Sequence, residues 1–325
     1  MPVADLVILI LGLALLVGGG EVLVRGATAL ARSLGVSPLV IGLTVVAFGT
    51  SAPELAVNIT AALRGQGGIS FGNVVGSNIA NIGLILGISA LVRPLAVQRS
   101  LARRELPFML AASLGATLLA LETVADRPGG LGPVDGVLLL AGFVVFLVAM
   151  LRAARRERAR DPFLRGAEER AGEGGAMGLP LASLLTLAGL AGVIGGGHWT
   201  VEGATAIARH LGISEAVIGL SIVAIGTSLP ELVTSLVAAR HGESDLAVGN
   251  VVGSNIFNLL LVLGPTAMIR RIAVPAGGVV DLAVMCALSL ALLPLGFAFG
   301  NRINRAEGAI LLAAYTGYIA WRVLG

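Results

Sequence analysis

Residues 45–59 read VVAFGTSAPELAVNI and place a proline and a carboxylate inside an otherwise apolar run. Pro53 lacks a backbone N–H and crowds the carbonyl four residues before it, which frees the carbonyl of Gly49 and interrupts a helix. Glu54 directly follows, and a carboxylate within an apolar span typically marks an ion or proton pathway. We therefore interpret this stretch as a broken helix that carries a functional carboxylate.

Residues 223–236 read VAIGTSLPELVTSL and repeat nearly the same sequence motif. Residues 18–87 align with residues 195–264 at a constant offset of 177 without a gap, and 40 of the 70 pairs are identical. Shared hydrophobicity alone does not produce such agreement. The chain therefore contains an internal duplication, in which Pro230 and Glu231 repeat Pro53 and Glu54.

The composition indicates an integral membrane protein in a lipid bilayer. Of the 325 residues, 56% are hydrophobic and 13% are charged, against about 25% charged in soluble domains. The apolar runs are about 20 residues long, the length that crosses about 30 Å of hydrocarbon. All 22 basic residues are arginines that lie mainly between these runs, which argues against nucleic-acid binding. The single cysteine, Cys286, excludes a disulfide within the chain.

The apolar runs predict ten spans, five on each side of a polar segment. An odd number of spans in each half inverts the second repeat, and inverted repeats with broken helices place a substrate site near the midplane. The predicted fold is an all-α integral membrane protein with ten transmembrane helices, two inverted five-helix repeats, and interrupted helices 2 and 7. The repeats are residues 1–151 and 179–325, joined by a linker at 152–178. The spans are 4–25, 37–63, 71–92, 105–123, 133–151, 180–208, 214–239, 247–269, 278–298 and 305–323.

The arginines predict the orientation in a cell membrane. If both termini lie outside, 16 of the 22 arginines fall in the inner segments, as the positive-inside rule requires. The linker at 152–178 is then cytoplasmic.

Oxygen-bearing side chains surround both glutamates. Two hydroxyls precede each glutamate, and the following span adds a serine and an asparagine four residues apart, on one face of a helix. Asn73 and Asn250 precede these serines, and we expect them to brace the site rather than to bind an ion directly. The candidate ligands are Thr50, Ser51, Glu54, Ser77 and Asn81 in the first repeat and Thr227, Ser228, Glu231, Ser254 and Asn258 in the second.

This all-oxygen set suits a hard cation. Ca²⁺ takes six to eight oxygen ligands, and neither motif contains the His or Cys that zinc, copper or iron prefer. Two ionised glutamates are neutralised by one Ca²⁺ or by two Na⁺, so one site could hold either transported ion. No resident cofactor is expected. The sequence contains neither HExxH nor Gly-x-Ser-x-Gly, which argues against an enzyme.

The words GTSAPEL and GTSLPEL, each followed by GNVVGSN, resemble the two α-repeats of the sodium/calcium exchangers in the calcium/cation antiporter superfamily. The resemblance implies Ca²⁺/Na⁺ exchange at one site, and it adds the carbonyls of Ala47 and Ala224 to the ligands above. It also implies that spans 1 and 6 slide as a pair against the other eight.

Several alternatives stay open at this point. Some relatives carry Asp where Asn258 stands, and in the potassium-dependent branch that acid is associated with K⁺ cotransport, so K⁺ dependence is disfavoured here. The nearest alternative is a H⁺/Ca²⁺ antiporter, which the Thr-Ser before each proline disfavours. A passive channel is disfavoured because channels usually form their pore through oligomeric symmetry. The sequence gives no evidence for an obligate protein partner.

Overall fold

The computed structural model describes residues 3–121, 129–160, 177–213, 226–297 and 301–324. Ala224, the first half of the seventh predicted span and most of the predicted linker lie outside these ranges.

The first repeat forms a series of helices that matches the five predicted spans. The second span is broken at Ser51, and a wider π-helical turn interrupts both the second and the third span. The helices are α1 (Val3–Leu34), α2 (Pro38–Ile41), α3 (Ala47–Thr50), α4 (Ala52–Leu63), α5 (Gly67–Ala80), α6 (Gly87–Val92), α7 (Arg99–Arg103), α8 (Glu105–Leu121) and α9 (Pro133–Arg160), and the π turns span Gly42–Val46 and Asn81–Leu86.

The second repeat forms the helices α10 (Leu179–His210), α11 (Leu229–His241), α12 (Ser244–Phe257), α13 (Leu263–Ile269), α14 (Gly278–Phe297) and α15 (Arg305–Leu324), with a π turn at Asn258–Val262. The offset of 177 found in the sequence reappears in the element boundaries. The helices α4 and α11 begin at equivalent residues, and α5 and α12 begin and end at equivalent residues. The duplicated sequence therefore folds into duplicated local structure.

Two helices are longer than predicted. The helix α1 continues past residue 25 to Leu34 and ends at Gly35, whose φ of 62° is one that glycine adopts without strain. The helix α9 continues past residue 151 to Arg160, so the predicted linker begins as helix. Both extensions are rich in alanine and arginine, which favour helix in water as well as in lipid.

Six helical segments are long and apolar enough to cross a membrane, and the bent pair Pro38–Thr50 and Ala52–Leu63 makes a seventh when counted as one span. A shorter apolar stretch covers Gly278–Pro294. These counts apply to the described residues. They agree with the multi-pass character predicted from the sequence.

The described strands form two short antiparallel ribbons. In one ribbon β1 (Leu95–Ala96) pairs with β4 (Arg302–Ile303), and in the other β2 (Gly130–Leu131) pairs with β3 (Ile272–Ala273). The strands β1 and β3 are related by the same offset of 177. Each ribbon therefore joins one segment from each repeat.

The helices group into two compact units, which follow other boundaries than the repeats do. The first unit comprises Met1–Ser51 and Leu151–Asn250, and the second comprises Ala52–Met150 and Val251–Gly325. Each unit takes helices from both repeats.

Glycines hold α1 and α10 together along their length in the first unit. A Cβ added at Gly12 would lie 2.5 Å from the backbone nitrogen of Thr200, and one added at Gly26 would lie 2.5 Å from that of Thr186. Between them, a Cβ at Gly19 would lie 2.6 Å from the carbonyl carbon of Gly192. The seven-residue spacing keeps these glycines on one face of α1, and small residues allow such close approach in lipid.

In the second unit, α4, α5 and α13 pack together, α14 packs on α5 and α8, and the π turn Asn258–Val262 contacts α4, α5 and α8. The interior around α12 is apolar apart from a few polar side chains, since Val251, Val252 and Ile256 are buried. The polar side chains in this interior are therefore conspicuous, and several belong to the candidate site.

Candidate cation-binding site

Both central glutamates lie in the first turn of the second half of a broken span. Glu54 is the third residue of α4 and Glu231 is the third residue of α11. The backbone leaves helical geometry at the preceding serines, with φ −85° and ψ 3° at Ser51 and φ −91° and ψ 5° at Ser228. A helix N-terminus favours a negative charge, so the break places each carboxylate where the backbone stabilises it.

Both carboxylates are withdrawn from solvent. Glu54 and Glu231 each expose 1% of their surface. Removing an ionised carboxylate from water costs several kcal/mol unless other groups compensate for it. A cation that binds next to these groups would offset this penalty.

In the first unit, the break in span 2 meets α11. The hydroxyl of Ser51 donates a hydrogen bond to Oε1 of Glu231 at 3.1 Å. The hydroxyl of Thr50 donates to Oδ1 of Asn250 at 3.1 Å, and Thr50 is fully buried. The structure thus brings hydroxyls from one repeat together with the carboxylate of the other.

Asn250 braces this group, as expected from its position before the serine. Its amide nitrogen donates to Oγ of Ser235 at 2.9 Å and to the backbone carbonyl of Glu231 at 3.4 Å. Ser235 was not predicted from the sequence. It lies one turn after Glu231, so a search for polar residues on the glutamate's own helix face would have found it.

In the second unit, a similar hydrogen-bonded bridge lies next to Glu54. The amide nitrogen of Asn58 donates to the backbone carbonyl of Glu54 at 2.7 Å and to Oδ1 of Asn73 at 2.7 Å. Asn58 and Asn73 are the repeat equivalents of Ser235 and Asn250. A polar bridge between the glutamate helix and the following span is therefore a feature of both repeats.

The candidate asparagine ligands of both repeats begin a π turn. Asn81 opens the turn Asn81–Leu86 and Asn258 opens the turn Asn258–Val262. Such turns are frequent at functional sites because they change the register of the helix. In the described part of the chain, no hydrogen-bonding partner reaches Oδ1 of Asn81, Oγ of Ser254 or either amide atom of Asn258, and all three residues are buried.

The candidate ligands are divided between the two units. The first unit contains Ala47, Thr50, Ser51, Thr227, Ser228 and Glu231, and the second contains Glu54, Ser77, Asn81, Ser254 and Asn258. All of these except Thr227, which is partly exposed, are buried. Ala224 lies outside the described residues. Within those residues there is no group of three or more His, Cys, Asp and Glu that could hold a metal ion. The candidate set combines the two glutamate carboxylates with hydroxyl, amide and carbonyl oxygens.

The family profile described as "Sodium/calcium exchanger protein" matches residues 4–152 and 181–324. The chain belongs to the sodium/calcium exchanger family. This family is one of transporters, and the resemblance inferred from the repeated words is confirmed.

Individual exchangers and related proteins match along almost the whole chain. The protein CaxA of Alkalimonas amylolytica is 43% identical over 98% of each chain. The sodium/calcium exchanger MaX1 of Methanosarcina acetivorans is 35% identical, again over 98% of each chain. The solved structure of the sodium-calcium exchanger NCX_Mj soaked with 10 mM Na⁺ and zero Ca²⁺ superposes with a TM-score of 0.85 at 33% identity, covering 98% of this chain and 99% of that one.

These matches confirm the predicted fold class, an all-α membrane protein with the ten-helix repeat fold of the exchangers. They support a cation/Ca²⁺ antiporter and a multi-pass location in a membrane.

Proposed function

We propose that this exchanger moves Ca²⁺ across the cell membrane in exchange for Na⁺, by alternating access to one all-oxygen site. The observation that carries the proposal is the placement of Glu54 and Glu231, both buried and both in the first turn of a half-helix. The relative MaX1, which is named a sodium/calcium exchanger, supports the choice of ions.

The proposed ligands are the side chains and carbonyls predicted from the sequence. Two carboxylates supply a formal charge of −2, which one Ca²⁺ or two Na⁺ neutralise. Hydroxyl, amide and carbonyl oxygens complete the six to eight positions that Ca²⁺ prefers. The ligands are the carbonyls of Ala47 and Ala224 and the side chains of Thr50, Ser51, Glu54, Ser77, Asn81, Thr227, Ser228, Glu231, Ser254 and Asn258.

The pair α1 and α10 is the proposed moving element. Its glycine contacts run from Gly12 to Gly26 on α1, so the two helices can shift together without repacking against each other. The proposed orientation has both termini outside and the segment 152–178 in the cytoplasm.

The test is Ca²⁺ uptake into proteoliposomes that are loaded with Na⁺ and diluted into Na⁺-free buffer, with equal pH on both sides. Uptake that requires the outward Na⁺ gradient supports the proposal. Uptake that requires a pH gradient, and is indifferent to Na⁺, would refute it and favour the H⁺/Ca²⁺ alternative. Liposomes that contain the Glu231→Gln variant serve as the control.

A further inference from the structure

Hydrogen bonds connect three buried side chains in the second unit and fix the orientation of one predicted ligand, Asn81. The amide nitrogen of Asn255 lies 3.6 Å from Sδ of Met109 and donates to it. The amide nitrogen of Asn81 donates to Oδ1 of Asn255 at 3.0 Å. Each of the three residues exposes 1% of its surface or less.

The thioether of Met109 determines which groups donate and which accept in these hydrogen bonds. A methionine sulfur can accept a hydrogen bond and cannot donate one, so Asn255 must turn its NH₂ group toward Met109. Its oxygen then faces Asn81, which must offer its own NH₂ group in return. Oδ1 of Asn81 consequently points away from Asn255, and no partner reaches this oxygen in the described part of the chain.

The equivalent residues of the other repeat lack this arrangement. Asn78 is the repeat equivalent of Asn255, and its amide nitrogen donates to the carbonyl of Val74 in its own helix at 2.8 Å. Asn258 is the repeat equivalent of Asn81, and neither of its amide atoms has a partner among the described residues. The two asparagine ligands therefore differ in that only Asn81 has its amide orientation fixed.

We infer that Asn255, held by Met109, is a positioning residue that directs the amide oxygen of Asn81 toward the transported cation. This inference rests on the proposed function, because it requires Asn81 to be a ligand. An amide that must turn before it binds a cation loses affinity, since part of the binding free energy is used to order it. Asn255 therefore acts on cation affinity, whereas a residue with a purely packing role would change stability instead.

The experiment compares Ca²⁺ binding to purified protein in Na⁺-free buffer, measured by isothermal titration calorimetry, for Asn255→Leu, Met109→Leu and Asn78→Leu. Asn78→Leu is the matched control, because it makes the same substitution at an equally buried asparagine whose amide nitrogen donates within its own helix and not to a proposed ligand. Met109→Leu preserves the side-chain volume, which cores tolerate well, and therefore tests the inference even if Asn255→Leu does not fold.

We expect Asn255→Leu to raise the Ca²⁺ dissociation constant about tenfold and Met109→Leu to raise it about threefold, the order of a net hydrogen-bond contribution. We expect Asn78→Leu to bind as the wild type does. In proteoliposomes the first two variants should raise KM for Ca²⁺ and leave the maximal rate unchanged. Wild-type affinity in Met109→Leu and in any folded Asn255→Leu, or equal weakening in Asn78→Leu, would overturn the inference alone. A wild type that binds no Ca²⁺ would overturn both the inference and the proposed function.

Discussion

Neighbouring glycines in α1 provide a sharp test of the helix pair. A Cβ added at Gly19 would lie 2.6 Å from the carbonyl carbon of Gly192, 2.7 Å from the nitrogen of Val193 and 2.9 Å from Cα of Gly192. These atoms are all backbone, so the two helices must separate to admit a methyl group. A Cβ added at Gly18 meets nothing within 4 Å among the residues that the structure describes.

The two alanine substitutions should therefore have different effects. Both Gly18→Ala and Gly19→Ala gain up to about 1 kcal/mol of helix propensity, and this gain cancels when the two variants are compared. What remains is the cost of overpacking at Gly19, about 1–3 kcal/mol. We expect Gly19→Ala to be less stable than Gly18→Ala by this amount.

The measurement is the free energy of unfolding in detergent micelles, with Trp199 of α10 as a fluorescent reporter of the helix pair. Replacement of Trp321 by phenylalanine in every protein isolates this signal. Equal stability of the Gly18→Ala and Gly19→Ala variants would refute the close approach of α1 to α10.

Three further variants test the site. Glu54→Gln should abolish Ca²⁺ uptake into proteoliposomes, because it leaves only one carboxylate to neutralise a divalent ion. Circular dichroism checks that the variant is folded. Near-normal uptake would contradict the proposed ligand set. Ser51→Ala removes the hydrogen bond to Glu231, and a hydrogen bond to a charged acceptor contributes about 1.5–3 kcal/mol. Titration calorimetry should show Ca²⁺ binding weakened by about ten- to a hundredfold, and unchanged affinity would exclude Ser51 from the site. Asn258→Asp adds a third carboxylate and should alter the ion preference or the pH dependence of uptake, whereas an effect on neither would place Asn258 outside the site.

The repeated sequence motifs predicted most of the local structure. The offset of 177 located the helix breaks, the glutamates and the asparagines, because identical sequence folds into identical local structure. The breaks at Ser51 and Ser228 follow from Pro53 and Pro230, since proline suits the start of a helix and cannot continue one. These features depend on nearby residues, which a single sequence displays.

Features that depend on distant residues were not predictable. The exposed histidine His241 places its Nε2 2.7 Å from Oε2 of Glu21, 220 residues earlier in the chain. The bond between Asn255 and Met109 likewise joins residues from different repeats. The sequence offers no periodicity that connects such pairs, because their contact depends on how whole helices pack.

The grouping into two compact units was also not visible in the sequence. The linker separates the two repeats. The boundaries between the units instead fall after Ser51 in the first repeat and after Asn250 in the second, so each unit contains helices from both repeats. Both residues lie within the repeated motifs. Hydrophobic runs reveal where spans begin and end, and they carry no information about which spans pack together.

Competition between the two ions tests the central claim, a common site for Ca²⁺ and Na⁺, most directly. Ca²⁺ binding to the purified protein is measured by titration calorimetry at increasing Na⁺, with choline replacing Na⁺ to hold the ionic strength constant. A common site predicts that the apparent Ca²⁺ dissociation constant rises without limit as Na⁺ increases, while the number of Ca²⁺ ions bound at saturation stays the same. A dissociation constant that is independent of Na⁺, or that levels off at high Na⁺, would contradict exchange at one shared site.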